Sequence, residues 1–402
     1  MSRLSTMVKA KAKLAALKVV ATVIAVPRPL VLLGPGSALR LCDTMSHMGV
    51  NHVLIVTDSI LVKLGIINPM ISRLEALGIK ATVFSGVTPD PTLAVVEQGL
   101  AALRSGHCDA VLAVGGGSPI DAAKVMALAA SNNKSPRELI GIFKSRQPSL
   151  PLFCVPTTAG TGSEVTLGAV ISDDITHQKG LVIDPHVVPM AVAIDPHIMQ
   201  GMPKSITADT GMDALTHALE AWMSNFANAE TDYYASSAVR MIFSHLPAAY
   251  HDGMNLEARE ALGLASHYGG LALNKAGLGY IHAIAHQLGA HYGVAHGRAN
   301  AIVMPYILEF NREACARRLA ELARRVGLVS ASKTDRQATD LLITRVRQLL
   351  SEVNIASHIP GIDAADFPAM VEAAFAEAHG TYAVPRYMDP QDIMNILNSL
   401  TN

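Results

Sequence analysis

The stretch Ala110-Val-Leu-Ala-Val-Gly-Gly-Gly-Ser-Pro-Ile-Asp-Ala-Ala-Lys124 reads in order as a buried strand, a glycine turn and the start of a helix. Five apolar residues make the strand, three glycines reverse the chain, and Pro119 falls in the first helical turn, where its missing N–H costs little. Short apolar runs of the same kind recur at residues 31–33, 53–57, 81–84, 152–155 and 191–194, with helical stretches between them. Strands that are apolar throughout and alternate with helices belong to βαβ units, in a parallel sheet covered on both faces. From about residue 206 the pattern changes. Residues 209–224, 231–250, 256–273, 312–326, 334–353 and 391–400 show apolar spacing near 3.6 with few β-branched runs. The expected architecture is therefore an N-terminal extension (1–28), an α/β domain with a parallel sheet (29–205) and an all-helical domain (206–402). A tight linker is expected near Gly201 and Pro203.

Composition agrees with a large aliphatic core. Of 402 residues, 50% are hydrophobic, 16% charged and only 4% aromatic, which excludes a disordered chain. A formal net charge of -1 lacks the basic footprint of nucleic-acid binding, so no such partner is expected. Cys42, Cys108, Cys154 and Cys315 are scattered with no C-x-x-C pair. Neither a disulfide framework nor a thiolate zinc site follows, and a cytoplasmic setting fits. No run reaches the roughly 18 apolar residues of a membrane span, so no membrane partner is expected. The nearest, residues 14–26, carries Lys18 and follows Arg3, Lys9, Lys11 and Lys13. It reads as an amphipathic extension helix, with a targeting segment as the minor alternative.

Three strand ends suit a dinucleotide. The free N–H groups at the helix start after Gly116, Gly117 and Ser118 supply partial positive charge for a pyrophosphate. A second loop, Pro156-Thr-Thr-Ala-Gly-Thr-Gly-Ser-Glu164, offers Thr157, Thr158, Thr161 and Ser163 to phosphate or ribose oxygens. Asp58 closes the run 52–58. Its carboxylate either accepts the adenosine ribose hydroxyls, favouring NAD over NADP, or caps the next helix. The acid precedes the glycines here, so the usual order of the dinucleotide fingerprint is absent.

Histidines supply the strongest signal. Sixteen in 402 residues would leave fewer than one in a window the size of 282–296, yet His282, His286, His291 and His296 all fall there. His282 and His286 are i,i+4 on one helix face, and Gly289 and Gly293 can return the chain toward the same point. Asp213 and His217 are also i,i+4, inside an apolar helix where a carboxylate is costly unless paired or coordinating. Imidazoles with a carboxylate suit Fe(II), Zn(II) or another divalent ion. His47, His107, His177, His245 and His379 read as surface or packing residues.

Together, GGGSPIDAAK at 115–124, PTTAGTGSE at 156–164, DALTHALEAW at 213–222 and the histidine block 282–301 resemble the iron-containing (group III) alcohol dehydrogenase family. The resemblance runs from about Pro29 to the C-terminus. It implies a dehydroquinate-synthase-like fold, with Rossmann-like NAD(H) binding in the first domain and Fe(II) held by Asp213, His217, His282 and His296. It sets His286 beside the nicotinamide and substrate rather than on the metal, and gives Lys179 a cofactor contact. A homodimer or larger homo-oligomer is also implied. Ala383-Val-Pro-Arg386 stands where the family often has Asn-Pro-Arg, with Val384 in the place of the Asn. The implied reaction is reversible oxidation of a primary, aliphatic alcohol to its aldehyde, with the metal as Lewis acid and nicotinamide taking the hydride. In it His286 relays a proton or holds substrate, with plain packing as the alternative. Alternatives on the same scaffold are a polyol or hydroxy-acid dehydrogenase and a non-redox lyase or synthase. A polyanion for such a lyase would want basic residues that the apolar helices around Asp213 and His282 lack.

Overall fold

The computed structural model describes residues 26–175 and 178–401. The expected N-terminal extension lies outside them except for residues 26–28, as does His177. The described chain forms two units: residues 26–202 with Met254–His267, and Pro203–Gly253 with residues 268–401.

The first unit runs β1 (Leu30–Leu33), α1 (Ser37–His47), β2 (His52–Val56), α2 (Ser59–Lys63), α3 (Asn68–Ala76), β3 (Lys80–Phe84), α4 (Leu93–Ser105), β4 (Ala110–Gly115) and α5 (Gly117–Asn132). It continues through β5 (Gly141–Ile142), β6 (Leu152–Pro156), β7 (Gly168–Ser172), β8 (Lys179–Ile183), β9 (Ala191–Ile194) and α6 (Pro196–Met199). The six apolar runs of the sequence all become strands of one parallel sheet, ordered β1-β9-β6-β4-β2-β3. Val53, Leu54, Ile55 and Val56 of β2 and Val111, Leu112, Ala113 and Val114 of β4 are fully buried, as strands covered on both faces must be.

From β2 the chain moves outward to β3, whereas from β4 it proceeds to β6 on the other side. Oppositely directed connections leave a crevice at the carboxyl ends of β2 and β4, where open α/β sheets bind ligands. Val56 pairs with Ala113 there, so the segments after these strands, Asp58 and Gly115–Ser118, emerge side by side. A second sheet, β5-β8-β7, joins β7 and β8 antiparallel. Only its residues 181–183 carry a strand signal in the sequence, because β5 has two residues and β7 starts at a glycine.

The helical unit contains α7 (Lys204–Met223), α8 (Ala229–His251), the later part of α9 (Leu256–Ala276), α10 (Tyr280–Tyr292), α11 (His296–Asn311), α12 (Ala316–Arg325), α13 (Asp335–Glu352), α14 (Phe367–Ala378) and α15 (Pro390–Ser399). Met254–His267 groups with the α/β unit because α9 packs closely there: a Cβ on Gly263 would lie 2.6 Å from Ile194, and Ser266 Oγ accepts the Gly162 N–H at 3.2 Å. Gly293, at φ +65°, ends α10 in the left-handed conformation that suits glycine. Gly289, also expected to turn the chain, stays helical. Among the described residues, no helix is long and apolar enough to cross a membrane.

Candidate functional site

On α7, Asp213, His217 and Glu220 stand at i, i+4 and i+7 and so share one face. All three are buried. His282, in the first turn of α10, brings its ring against His217, with centroids 5.0 Å apart and planes within 8°. One oxygen of Asp213 and one nitrogen each of His217 and His282 lie within 4.8 Å of one another. His296, at the first position of α11, adds its Nε2 at 3.4 Å from Asp213 Oδ1, and its side chain is 41% exposed. All four residues expected as ligands therefore gather at one place, three of them buried and one at the rim.

The protonation states suit a cation. Burial pushes the Asp213 carboxyl up, but His217, His296, His282 and the Asn300 amide outweigh that and hold it below the usual carboxylate range. Burial, then the neighbouring imidazoles, push His282 well below the ordinary histidine range, so its ring is neutral and keeps a lone pair. Among the described residues, His217 Nδ1 is buried with no hydrogen-bond partner. Asp213 Oδ1, His282 Nε2 and His296 Nε2 converge on a single donor, Asn300 Nδ2, at 2.8, 3.3 and 3.1 Å. A cluster of lone pairs with so few hydrogens among them fits a divalent cation, and the absence of thiolates fits iron as well as zinc.

Two neighbours shape this cluster. Glu220 accepts the N–H groups of Gly279, Ile281 and His282 at 2.7, 2.7 and 3.3 Å, and His282 Nδ1 at 2.7 Å. It thereby caps α10 and fixes the His282 tautomer with Nε2 toward Asp213. Burial pushes Glu220 up to about 7, against those backbone donors. Gly297 lets α11 approach α7: a Cβ there would collide with the Asp209 carbonyl oxygen and lie 3.2 Å from Asp213 Cβ. Glu220 was legible in principle, as a second acid on the ligand face of α7. Asn300 was legible only as the residue one turn after His296.

His286 stands beside the group, its ring 5.3 Å from that of His296 and 5.8 Å from that of His282. Its Nδ1 is 2.7 Å from Glu377 Oε1, which also accepts the Tyr382 hydroxyl at 2.6 Å. His291 lies in the last turn of α10, exposed and against Tyr292, away from the cluster.

In the α/β unit, the two loops expected to hold a nucleotide meet. A Cβ on Gly117 would lie 2.9 Å from Thr161 Cγ2, and one on Gly116 would lie 3.3 Å from Thr158 Oγ1. Thr157 N donates to Gly115 O at 2.9 Å. No side chain caps the N-terminus of α5, whose first N–H groups are left for an anion. Asp58 is the N-cap of α2, accepting Ile60 N and Leu61 N at 2.8 and 2.9 Å. Both bonds use Oδ1. Ser163 is buried and donates its hydroxyl to Asp121, which ties it to the scaffold of the loop. Lys179 Nζ pairs with Asp90 at 3.0 Å.

Asp121 and Lys124, in the same glycine-rich motif, have a structural use that spacing did not reveal. Lys124 is fully buried and donates to Thr166 O, Thr166 Oγ1 and Gly168 O at 2.8, 3.0 and 2.7 Å. Asp121 accepts Ser163 Oγ and the Val170 N–H. Helix α5 thus anchors the far end of the second loop, which Glu164 also secures through His267 Nδ1 at 3.1 Å.

Comparison with known proteins covers both units. Residues 29–196 match the family described as iron-containing alcohol dehydrogenase, and residues 207–401 match the C-terminal part of that family. The chain is 38% identical over 353 residues to alcohol dehydrogenase 4 of Schizosaccharomyces pombe, spanning 87% of this chain and 82% of the relative. It is 37% identical over 367 residues to 1,3-propanediol dehydrogenase of Citrobacter freundii, spanning 90% and 95%. A solved structure of 1,3-propanediol oxidoreductase superposes with a TM-score of 0.89 at 35% identity, covering 94% of this chain and all of the other. With the glycine-threonine loops in the first matched segment and the Asp-His cluster in the second, the chain belongs to the iron-containing alcohol dehydrogenase family.

Proposed function

We propose that this protein is a metal-dependent, NAD(H)-linked alcohol dehydrogenase that interconverts a small primary alcohol and its aldehyde. The reading rests above all on the buried Asp213, His217 and His282 group, whose donor atoms lie within 4.8 Å of one another. We assign Asp213, His217, His282 and His296 as metal ligands, with Fe(II) as the metal. Asp58, Gly116, Gly117, Ser118, Thr157, Thr158 and Thr161 are assigned to NAD(H), with Ser163 and Lys179 at the margin of that site.

When bound, the divalent ion supplies Lewis-acid polarisation of the alcohol or aldehyde oxygen, and nicotinamide supplies the hydride exchange. The protein's part is to hold the charges that make this work. One carboxylate against three neutral imidazoles leaves about half of a dication's charge uncompensated. Glu220 keeps His282 aimed, and Asn300 steadies Asp213 by donating to Oδ1. Arg298, the cation on the first turn of α11, is held by Asp209 at 3.0 Å, which leaves the cluster poor in groups for a polyanion. That favours a small alcohol over the substrate of a lyase or synthase. The Asp58 carboxylate would accept ribose hydroxyls of a bound NAD(H) and repel a 2'-phosphate. Four free, buried cysteines accord with a reducing compartment, and the cytoplasm is the setting we assign.

The test is NADH formation by anaerobically purified, iron-loaded protein, with primary alcohols from ethanol to hexanol and propane-1,3-diol. Steady turnover that a chelator abolishes and Fe(II) restores is expected. Metal-replete protein without turnover on any member of the panel, or on the matching aldehydes with NADH, overturns the reading.

A further inference from the structure

His286 lies one turn beyond His282 on α10, and its side chain is 28% exposed, so one edge of the ring is reachable. Glu377, on the last turn of α14, holds the other edge through the 2.7 Å contact to Nδ1. A carboxylate oxygen that already accepts the Tyr382 hydroxyl is an acceptor toward His286 too. Nδ1 therefore carries the ring hydrogen, and Nε2 is left as the acceptor on the open edge. A partly exposed glutamate on its own has several rotamers. Here Tyr382, four residues beyond the end of α14, pins Oε1 from a second side. Burial, and then Glu377 itself, hold the Tyr382 hydroxyl well above the ordinary tyrosine range, so it remains a donor. Neither residue lies in the glycine-rich, threonine-rich or Asp-His motifs, and Tyr382 directly precedes the segment 383–386.

We propose that Glu377, clamped by Tyr382, is a positioning residue: it fixes the His286 ring and tautomer so that Nε2 accepts a hydrogen bond from the substrate hydroxyl. The proposal rests on the dehydrogenase reading for its consequence. Leucine at 377 keeps the bulk but removes the acceptor, whereas glutamine keeps an acceptor for both donors. Losing the orientation of a group that aligns the substrate lowers turnover more than it lowers cofactor or metal binding.

The experiment uses the full-length, iron-loaded protein with NAD and propane-1,3-diol. Glu377→Leu is expected to lower kcat by about 30-fold, with a smaller change in KM. Iron per chain and NAD affinity should stay at the wild-type level. Glu377→Gln should retain kcat within about threefold, and Tyr382→Phe should fall between the two. The double variant His286→Ala with Glu377→Leu should be no slower than His286→Ala alone, as for residues that act as one unit. A kcat for Glu377→Leu within about twofold of wild type, a multiplicative loss in the double variant, or iron loss that tracks the activity loss overturns the proposal. Nitrogen NMR of histidine-labelled protein, with the His286 signal identified by its loss in His286→Gln, reads the tautomer without turnover. The Nδ1–H form is expected in wild type and should be lost in Glu377→Leu; an unchanged tautomer overturns the orienting role. Inactive wild-type protein with that tautomer intact would instead count against the dehydrogenase reading.

Discussion

The Asp213 cluster and the glycine-threonine loops, the two places we assign to a charged ligand, are built from different parts of the chain. In the helical unit the candidate donors are side chains, four of them drawn from three helices, and neighbours orient two of them. Glu220 aims His282, Asn300 holds Asp213, and Gly297 lets the helices approach closely enough for the donors to meet. In the α/β unit the donors are mostly backbone N–H groups at the start of α5, and the side chains nearby are small. Aim there comes from the sheet, which sets β2 and β4 side by side and so delivers Asp58 and the glycines to one edge. A centre made of a few strong donors should be sensitive to single substitutions. A cradle spread over many weak ones should lose less at each position.

The largest effect is expected at His282. His282→Ala should empty the site of iron in elemental analysis and lower kcat/KM by about 1,000-fold or more, since a Lewis acid contributes several kcal/mol and each 1.4 kcal/mol is a factor of ten. NAD binding should survive. Retained iron in this variant would remove His282 from the ligand set.

A smaller effect is expected one layer out. Glu220→Gln keeps the size of the side chain but only one acceptor oxygen, so its amide NH2 faces N–H donors and the hold on His282 Nδ1 weakens. Iron affinity should drop by about 10- to 100-fold, as for other carboxylates behind a ligand histidine. Titration of apoprotein with Fe(II) measures it. An affinity equal to wild type would mean that Glu220 serves only to cap α10.

The smallest change is expected in the nucleotide cradle. Asp58→Gly removes the carboxylate yet leaves a tolerated N-cap, which costs only a few tenths of a kcal/mol. The kcat/KM ratio of NADP to NAD should rise roughly five- to tenfold, the scale of removing one charge repulsion near water. Thermal stability should barely move. A ratio that stays put while the melting temperature falls would assign Asp58 to capping alone.

Much of this was readable from the chain. The six strands of the main sheet were visible as apolar runs, because strands buried on both faces leave no room for polar alternation. The Asp213, His217 and His282 group on α7 and α10 was visible because buried acids and clustered histidines are rare in apolar helices. Glu377 and Tyr382 were not, since nothing in their local spacing ties them to a histidine 91 residues earlier. The small β5-β8-β7 sheet was mostly hidden as well, its strands being short or glycine-led.

From residue types alone, Asp213, His217 and His282 in apolar helices pointed to a divalent-metal site, and the four motifs in register pointed to the family and so to its chemistry. The sequence also determined the parallel sheet, through hydrophobicity alone. Only the tertiary structure decided how these parts are used. Strand order turned the reversed sequence positions of Asp58 and the glycines into neighbours, and buried polar contacts separated Lys124 and Asp121, which brace a loop, from the groups beside them that we assign to a ligand. The physical reason is one of range. Burial preference and helical spacing act over a few residues and leave a mark in the local pattern. Hydrogen bonds between elements depend on where distant segments come to rest, and no local pattern records that.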